Sequence, residues 1–133
     1  MTEFVVRLSN RPGSLARLTE VLADAGVHIE ALAAWGGNDV GIVRLIVDDA
    51  DVTRRTLADS GLGATEHRVL TTYITKEPGE LARVTRQLAR AGVNIDALYV
   101  LNSHSEGIEL AIAVDNPEDA APHLPVRGSV ETG

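Results

Sequence analysis

The chain has no cysteine. That excludes disulfide frameworks, thiolate nucleophiles, thiolate metal sites and haem attachment. It also has no apolar run near the roughly 18 residues that a membrane helix needs. Its start, Met1-Thr2-Glu3-Phe4, places no basic segment ahead of an apolar one. No signal peptide is visible, and a cytoplasmic location is expected. Basic charge is scarce too: 12 Lys and Arg against 19 Asp and Glu give a formal net charge of −7. Such a surface repels phosphate backbones and anionic lipid, so neither nucleic acid nor membrane is an expected partner. What remains is 133 residues, 44% hydrophobic and 23% charged, the balance of a globular chain.

Catalytic and cofactor motifs are missing as well. There is no Gly-x-x-x-x-Gly-Lys or Gly-x-Gly-x-x-Gly to cradle phosphates. His28, His67, His104 and His123 show no metal-ligand spacing, so no metal site is expected. Asn102-Ser103-His104-Ser105-Glu106 lines up a hydroxyl, an imidazole and a carboxylate, but neighbours on a turn do not converge as a triad must. It reads as a solvated hairpin tip. Asp48, Asp49 and Asp51 lack the glycine and distant glutamate of a calcium loop. They are expected to line a helix N-terminus, where negative charge is favoured. No cofactor is implied, and the chain is not expected to be an enzyme.

The strongest positive signal is a repeat. Shifted by 66 positions, Pro12–Leu32 falls on Pro78–Leu98 with 14 identities in 21. Two unrelated amphipathic helices would not share matched Pro-Gly starts and Gly-Val-x-Ile exits. Two units follow, residues 1–68 and 69–133, with no Gly/Ser- or Pro-rich linker between Gly63 and Thr75. They are expected to be docked on each other.

Each unit reads as βαββαβ. Phe4–Leu8 alternates as a half-buried strand. Pro12 suits a first helical turn. Leu15, Leu18, Leu22 and Ala25 form an apolar stripe, closed by Gly26 as a left-handed cap. Ile29, Ala31, Ala33 and Trp35 alternate as a second strand, and Gly36-Gly37-Asn38-Asp39 turns the chain. Val43, Leu45 and Val47 form a third strand with Arg44 facing out. Asp51–Ser60 is a weaker helix, and Ala64–Arg68 a fourth strand. The second unit repeats this with Leu70–Ile74, Pro78–Ala91, Ile95–Leu101 and Leu110–Val114. Its third strand needs an offset of 67, because 66 would turn the apolar face outward. The extra residue is expected within the hairpin loop Asn102–Ile108. Pro122 and Pro125 stunt the last helix after Asn116-Pro117-Glu118-Asp119, and Val126–Val130 reads as a closing strand. The expected fold class is α+β, two ferredoxin-like units with antiparallel sheets and helices on one face. The other sheet face, left uncovered in this reading, points to a homodimer. Trp35 and Tyr99 are read as core or interface residues.

Asn10-Arg11-Pro12-Gly13-Ser14-Leu15 followed by a helix and Gly26-Val27-His28-Ile29 resembles the ACT domain. Glu77-Pro78-Gly79-Glu80-Leu81 and Gly92-Val93-Asn94-Ile95 carry the same resemblance in the second half. The whole chain is similar to stand-alone tandem ACT proteins. The resemblance implies that two units pair side by side as a pseudo-dimer and that a free amino acid binds at their seam. One unit's strand-to-helix loop and the residue after the other unit's first helix would form each site. The residues suit that ligand. Gly13 lets backbone come close, the first helical turn offers N–H groups to a carboxylate, and a side-chain amide suits a zwitterion.

The two sites implied are unequal. Asn10, Pro12, Gly13, Ser14 and Leu15 would join Asn94 and Ile95 in one. Lys76, Pro78, Gly79, Glu80 and Leu81 would join His28 and Ile29 in the other, an altered or lost site. The function expected is amino-acid sensing by a regulatory protein. The alternative is a ligand-independent assembly subunit docking on an amino-acid biosynthetic enzyme.

Overall fold

The computed structural model describes residues 1–125; the strand expected at Val126–Val130 lies outside the described residues. Two compact units divide the chain, Met1–His67 and Arg68–Gly133. Along it run β1 (Thr2–Ser9), α1 (Ser14–Asp24), β2 (Ile29–Gly37), β3 (Val40–Val47), α2 (Ala50–Asp59) and β4 (Ala64–Ile74). Then come α3 (Glu80–Arg90), β5 (Ile95–Ser103), β6 (Ile108–Val114) and α4 (Pro117–Ala120), which passes into a single 3-10 turn, Ala121–His123. The two ferredoxin-like units of the sequence reading are present. The strands expected separately at Ala64–Arg68 and Leu70–Ile74 are one strand, β4, because no glycine or proline interrupts its extended backbone.

In the first unit β3 lies between β2 and β1, antiparallel to both. Alternation on β1 turns Phe4, Val6 and Leu8 toward the helices, and β3 adds Val43, Leu45 and Val47. Leu18 and Leu22 of α1 and Leu57 of α2 complete that core. Each such buried leucine contributes about 1.5–3 kcal/mol relative to exposure. The second unit places β6 between β4 and β5 and builds the same core from Ile74, Val84, Leu88, Leu110, Ile112 and Val114.

Pro12 does not enter the helix. Ser14 N–H donates to the Arg11 carbonyl at 3.3 Å, closing a four-residue turn with Pro12 and Gly13 at its centre. Gly13 has φ 91° and ψ −16°, the third position of a type II turn, which glycine adopts without a β-carbon penalty. Pro78 and Gly79 repeat it, with Gly79 at φ 90° and Glu80 N–H bonded to the Glu77 carbonyl. The helix therefore starts two residues after the proline. Gly26 is left-handed as expected, Gly61 and Gly92 are left-handed too, and each closes its helix through paired N–H bonds back to the last turn.

The offset of 67 holds: Phe4 faces Leu45 and Leu70 faces Ile112. The extra residue sits in the strand, however, not in the loop. The β5–β6 register shifts between Val100 and Asn102, so Leu101 is a bulge. Another shift, between Ile29 and Ala31, breaks the alternation read for β2. Leu32 and Ala34, not Ala33 and Trp35, then face the helix side with Leu45 and Val43.

The sheet face opposite the helices is not bare. Ile46 is buried on it in the first unit, and Ala111, Ala113 and Tyr99 are buried on it in the second. Glu3 is fully buried there and Arg44 is 19% exposed; Arg44 Nη1 donates to both Glu3 carboxylate oxygens, at 3.0 and 3.1 Å. Arg44 thus does not face solvent as its charge suggests. Trp35, by contrast, is 54% exposed and not part of the core. In the second unit the Pro125 carbonyl accepts from Thr72 Oγ1 at 2.6 Å and from Tyr73 N–H at 3.4 Å, tying the segment after α4 back to β4.

Arg44→Met leaves the Glu3 carboxylate buried without this partner and should cost about 3–5 kcal/mol in urea unfolding. The Arg44→Met/Glu3→Met double variant should recover much of that loss. A single variant as stable as the parent would contradict the pair's role.

Candidate functional site

A cleft of about 190 Å³ opens in the first unit between the end of β1, the start of α1 and the β2–β3 hairpin. Leu8, Leu15, Ala34 and Val43 supply apolar groups, while Ser9, Asn10, Arg11 and Ser14 supply polar ones; Trp35, Gly36 and Gly41 complete it. Of the residues expected from sequence, Asn10, Ser14 and Leu15 line this cleft. Pro12 and Gly13 do not; they bend the loop that delivers the other three.

Pairing explains why the cleft exists. Gly41 is paired with Leu8 on one side and Gly36 on the other, so all three share the helix-facing row. Two adjacent glycines leave two of its three places without side chains. The Asn10 carboxamide uses part of the room: a β-carbon on Gly36 would sit 2.5 Å from Asn10 Oδ1. Asn10 is fixed there by its Nδ2, which donates to the Asn38 carbonyl at 2.9 Å, and by its backbone N–H on the Asp39 carbonyl at 2.8 Å. Gly41 itself is roomy, with nothing closer than 3.8 Å to an added β-carbon.

Above the cleft, α1 begins without a side-chain cap, because its N-cap is Gly13. The shorter helices differ: Asp49 accepts from Val52 N–H to cap α2, and Asn116 accepts from Asp119 N–H to cap α4. Only Asp49 and Asp51 of the three early aspartates serve α2; Asp51 bonds Arg54 from the first turn. Asp48 instead accepts from His28 N–H at 2.9 Å while its own N–H donates to the His28 carbonyl at 3.1 Å. Asp115 and Asn94 repeat that two-point lock at 2.9 and 3.1 Å. The lock fixes the residue ahead of β2 or β5 and leaves its side chain exposed. Asn94 Nδ2 donates to Asp96 at 2.9 Å, and the His28 ring lies 4.0 Å from Glu30. Ile29 and Ile95 pack on the two apolar cores.

The matching place in the second unit is built differently. Ile108 pairs with Ile74 where Gly41 pairs with Leu8, and Ser103 faces it where Gly36 faces Gly41. The Ile108 side chain packs against the second core, so the row is filled. Glu80 stands where Ser14 stands in the first unit, in the first turn of α3. Arg83 Nε donates to its carboxylate at 2.9 Å, holding Glu80 below the usual carboxylate range, with Thr75 adding to the effect. An ionised carboxylate already occupies that helix start, and an anionic group of a ligand would be repelled. Lys76, Pro78 and Gly79 are exposed, and Leu81 is 44% exposed.

A larger groove, about 400 Å³, lies along α2 and the start of β4 in the first unit. Its cation is committed: Arg54 Nε and Nη2 donate to Glu66 at 2.6 and 2.7 Å, and Nη1 donates to Asp51 at 2.8 Å. Arg54 holds the Glu66 carboxyl below its ordinary value. Among the described residues no cluster of His, Asp and Glu could hold a metal ion.

Sequence reading missed Gly36 and Gly41 as site makers. The signal was available in the 67-residue offset, which sets Gly41 against Ile108. Gly36→Ala should displace Asn10 and cost about 1 kcal/mol of stability, whereas Gly41→Ala should stay within about 0.5 kcal/mol of the parent. Urea titration of both variants checks this, and equal losses would contradict the Asn10–Gly36 contact.

The model of the family described as "ACT domain pair" matches residues 1–124. Among solved structures, the chain is similar to protein BT0572 from Bacteroides thetaiotaomicron, at 28% identity and TM-score 0.81 over 92% of this chain and 84% of that one. It also resembles the ligand-free regulatory subunit of aspartate kinase from Thermus thermophilus, at 18% identity and TM-score 0.71 over 92% and 87%. The corresponding subunit from Thermus flavus follows at 16% identity and TM-score 0.61, over 92% and 88%. No curated protein matches the chain. With the family model spanning both units, the chain belongs to the ACT domain pair family.

Proposed function

We propose that the protein is a regulatory module that binds one free amino acid in the cleft of its first unit. The observation that carries this reading is the cleft itself, which exists because Gly36 and Gly41 leave two places of the helix-facing row empty beneath an uncapped helix start. Backbone N–H groups at that start, together with Arg11, suit a carboxylate. Asn10 and Ser14 offer hydrogen-bonding groups for the remainder of the zwitterion. Leu8, Leu15, Ala34 and Val43 suit an aliphatic side chain, and no acidic residue lines the cleft to receive a basic one. The fold shared with aspartate kinase regulatory subunits supports regulation over catalysis. Binding changes the state of the module, and a coupling of about 1–3 kcal/mol suffices to regulate a partner such as a biosynthetic enzyme.

Asn94 enters the proposal from the sequence resemblance alone, as a second contact for the ligand of Asn10. Lys76 and His28 enter in the same way as the altered counterpart.

Calorimetric titration with each of the twenty amino acids tests the reading. One aliphatic amino acid should bind with a stoichiometry of one per chain. Asn10→Ala and Asn94→Ala should each weaken it about 10- to 150-fold, the effect of one hydrogen bond to a charged group. Gly41→Val should abolish binding while the protein stays folded. Silence across the panel would favour the ligand-independent assembly subunit. In the second unit, Ile108→Gly with Glu80→Ser should raise the stoichiometry toward two; an unchanged value would show that the row and the carboxylate are not what closes that site.

A further inference from the structure

The second unit holds, as its own side chains, groups whose places stand open in the first. Gly41 lies between Leu8 and Gly36 on the helix-facing row, and Ile108 lies between Ile74 and Ser103 in the same place. Ile108 packs on the second core, so this fold accommodates a branched four-carbon side chain there. In the first unit the matching room is divided. Asn10 holds the part over Gly36, while a β-carbon on Gly41 would meet nothing closer than 3.8 Å.

An acid has its counterpart too. Glu80, in the place of Ser14, has a side chain only 17% exposed and accepts from Arg83 Nε at 2.9 Å. Thr75 bonds the same carboxylate through its backbone N–H and its hydroxyl. Thr75 follows Ile74 as Ser9 follows Leu8, and Ser9 lines the cleft. Arg17, the counterpart of Arg83, donates to the Ser60 carbonyl at 2.8 Å instead. A branched aliphatic chain and a carboxylate, carried by two separate residues, thus sit in the second unit where the first has a glycine and a serine.

We infer that the ligand of the first unit is a branched-chain aliphatic amino acid. Its side chain lies over Gly41 as Ile108 does in the second unit, and its carboxylate lies beside Ser9 as that of Glu80 lies beside Thr75. The inference rests on reading the cleft as an amino-acid site, and it adds which side chain is selected and which hydroxyl receives the acid. Same-face residues of a strand recur about every 6.5 Å and neighbouring strands stand about 4.8 Å apart, so one empty place takes one aliphatic side chain. An aromatic ring needs the room over Gly36 as well, which Asn10 holds.

Calorimetric titration of the full chain tests the selection. Each methylene withdrawn from an apolar site lowers affinity about fourfold. Valine should therefore bind about fourfold, and alanine about 60-fold, more weakly than isoleucine. Phenylalanine should bind more weakly than valine. Gly41→Ala takes about one carbon of the room; it should weaken isoleucine by about tenfold and leave alanine within about twofold. Ser9→Ala should weaken all of them alike, by about 10- to 150-fold, and Ser9→Thr should restore binding. Circular dichroism on each variant confirms that it is folded. An aromatic, polar or unbranched amino acid as the tightest ligand would overturn the inference and leave amino-acid binding standing. So would a Gly41→Ala variant with the parent's ratio of isoleucine to alanine, or a Ser9→Ala variant with the parent's affinity. Silence of the parent toward every amino acid would overturn both readings.

Discussion

The pairing of Gly41 with both Leu8 and Gly36 is the constraint on which the first unit's chemistry depends. A strand turns alternate residues to one face, so three paired residues share the helix side with no freedom to choose otherwise. Two of them have no side chain. That leaves room beneath the start of α1, and the type II turn at Pro12-Gly13 delivers Asn10, Ser14 and Leu15 around it. Gly13 serves this arrangement by its positive φ, not by making space, since an added β-carbon there would meet nothing within 4 Å. A wider residue at Gly41 would keep every backbone bond and lose the cleft. Fold and site are thus separable at this one position.

The repeat shows which parts are scaffold. Both units share the Pro-Gly turn, the left-handed cap after the long helix, and the aspartate that locks the residue ahead of β2 or β5. These features act on the backbone and hold whatever the exposed side chains are. The differences fall on surfaces that could meet something else. Ile108 fills a place that Gly41 leaves empty, Glu80 brings a carboxylate where Ser14 is neutral, and Arg86 and Arg90 of α3 stand where α1 has Glu20 and Asp24. One fold carries two unlike surfaces, which is what a module needs if only one half receives a ligand.

Much of the fold was legible because period-2 and period-3.6 patterns are strong in Phe4–Leu8, Leu18–Leu22 and Leu110–Val114. The features that were missed share a cause: none of them leaves a mark in hydrophobic periodicity. Pro-Gly marks a turn as readily as a helix start, and only the Ser14–Arg11 hydrogen bond distinguishes them. A bulge at Leu101 looks like a longer loop until the register on both sides is known. Arg44 reads as outward because charge is taken for exposure, yet it pairs with the buried Glu3. Gly36 and Gly41 carry no pattern at all, and their meaning comes from the residues paired with them. The site was half legible for the same reason: the loop residues Asn10, Ser14 and Leu15 lie in a recognisable motif, while the floor lies across two strands.

Amide chemical-shift mapping tests the central claim most directly. With the bound amino acid at saturation, shifts should concentrate on Ser9–Leu15 and Gly36–Gly41, while Thr75–Leu81 and Ser103–Ile108 stay near their free positions. Equal shifts in both sets, or shifts that leave Gly36–Gly41 untouched, would contradict a single ligand seated over the two glycines.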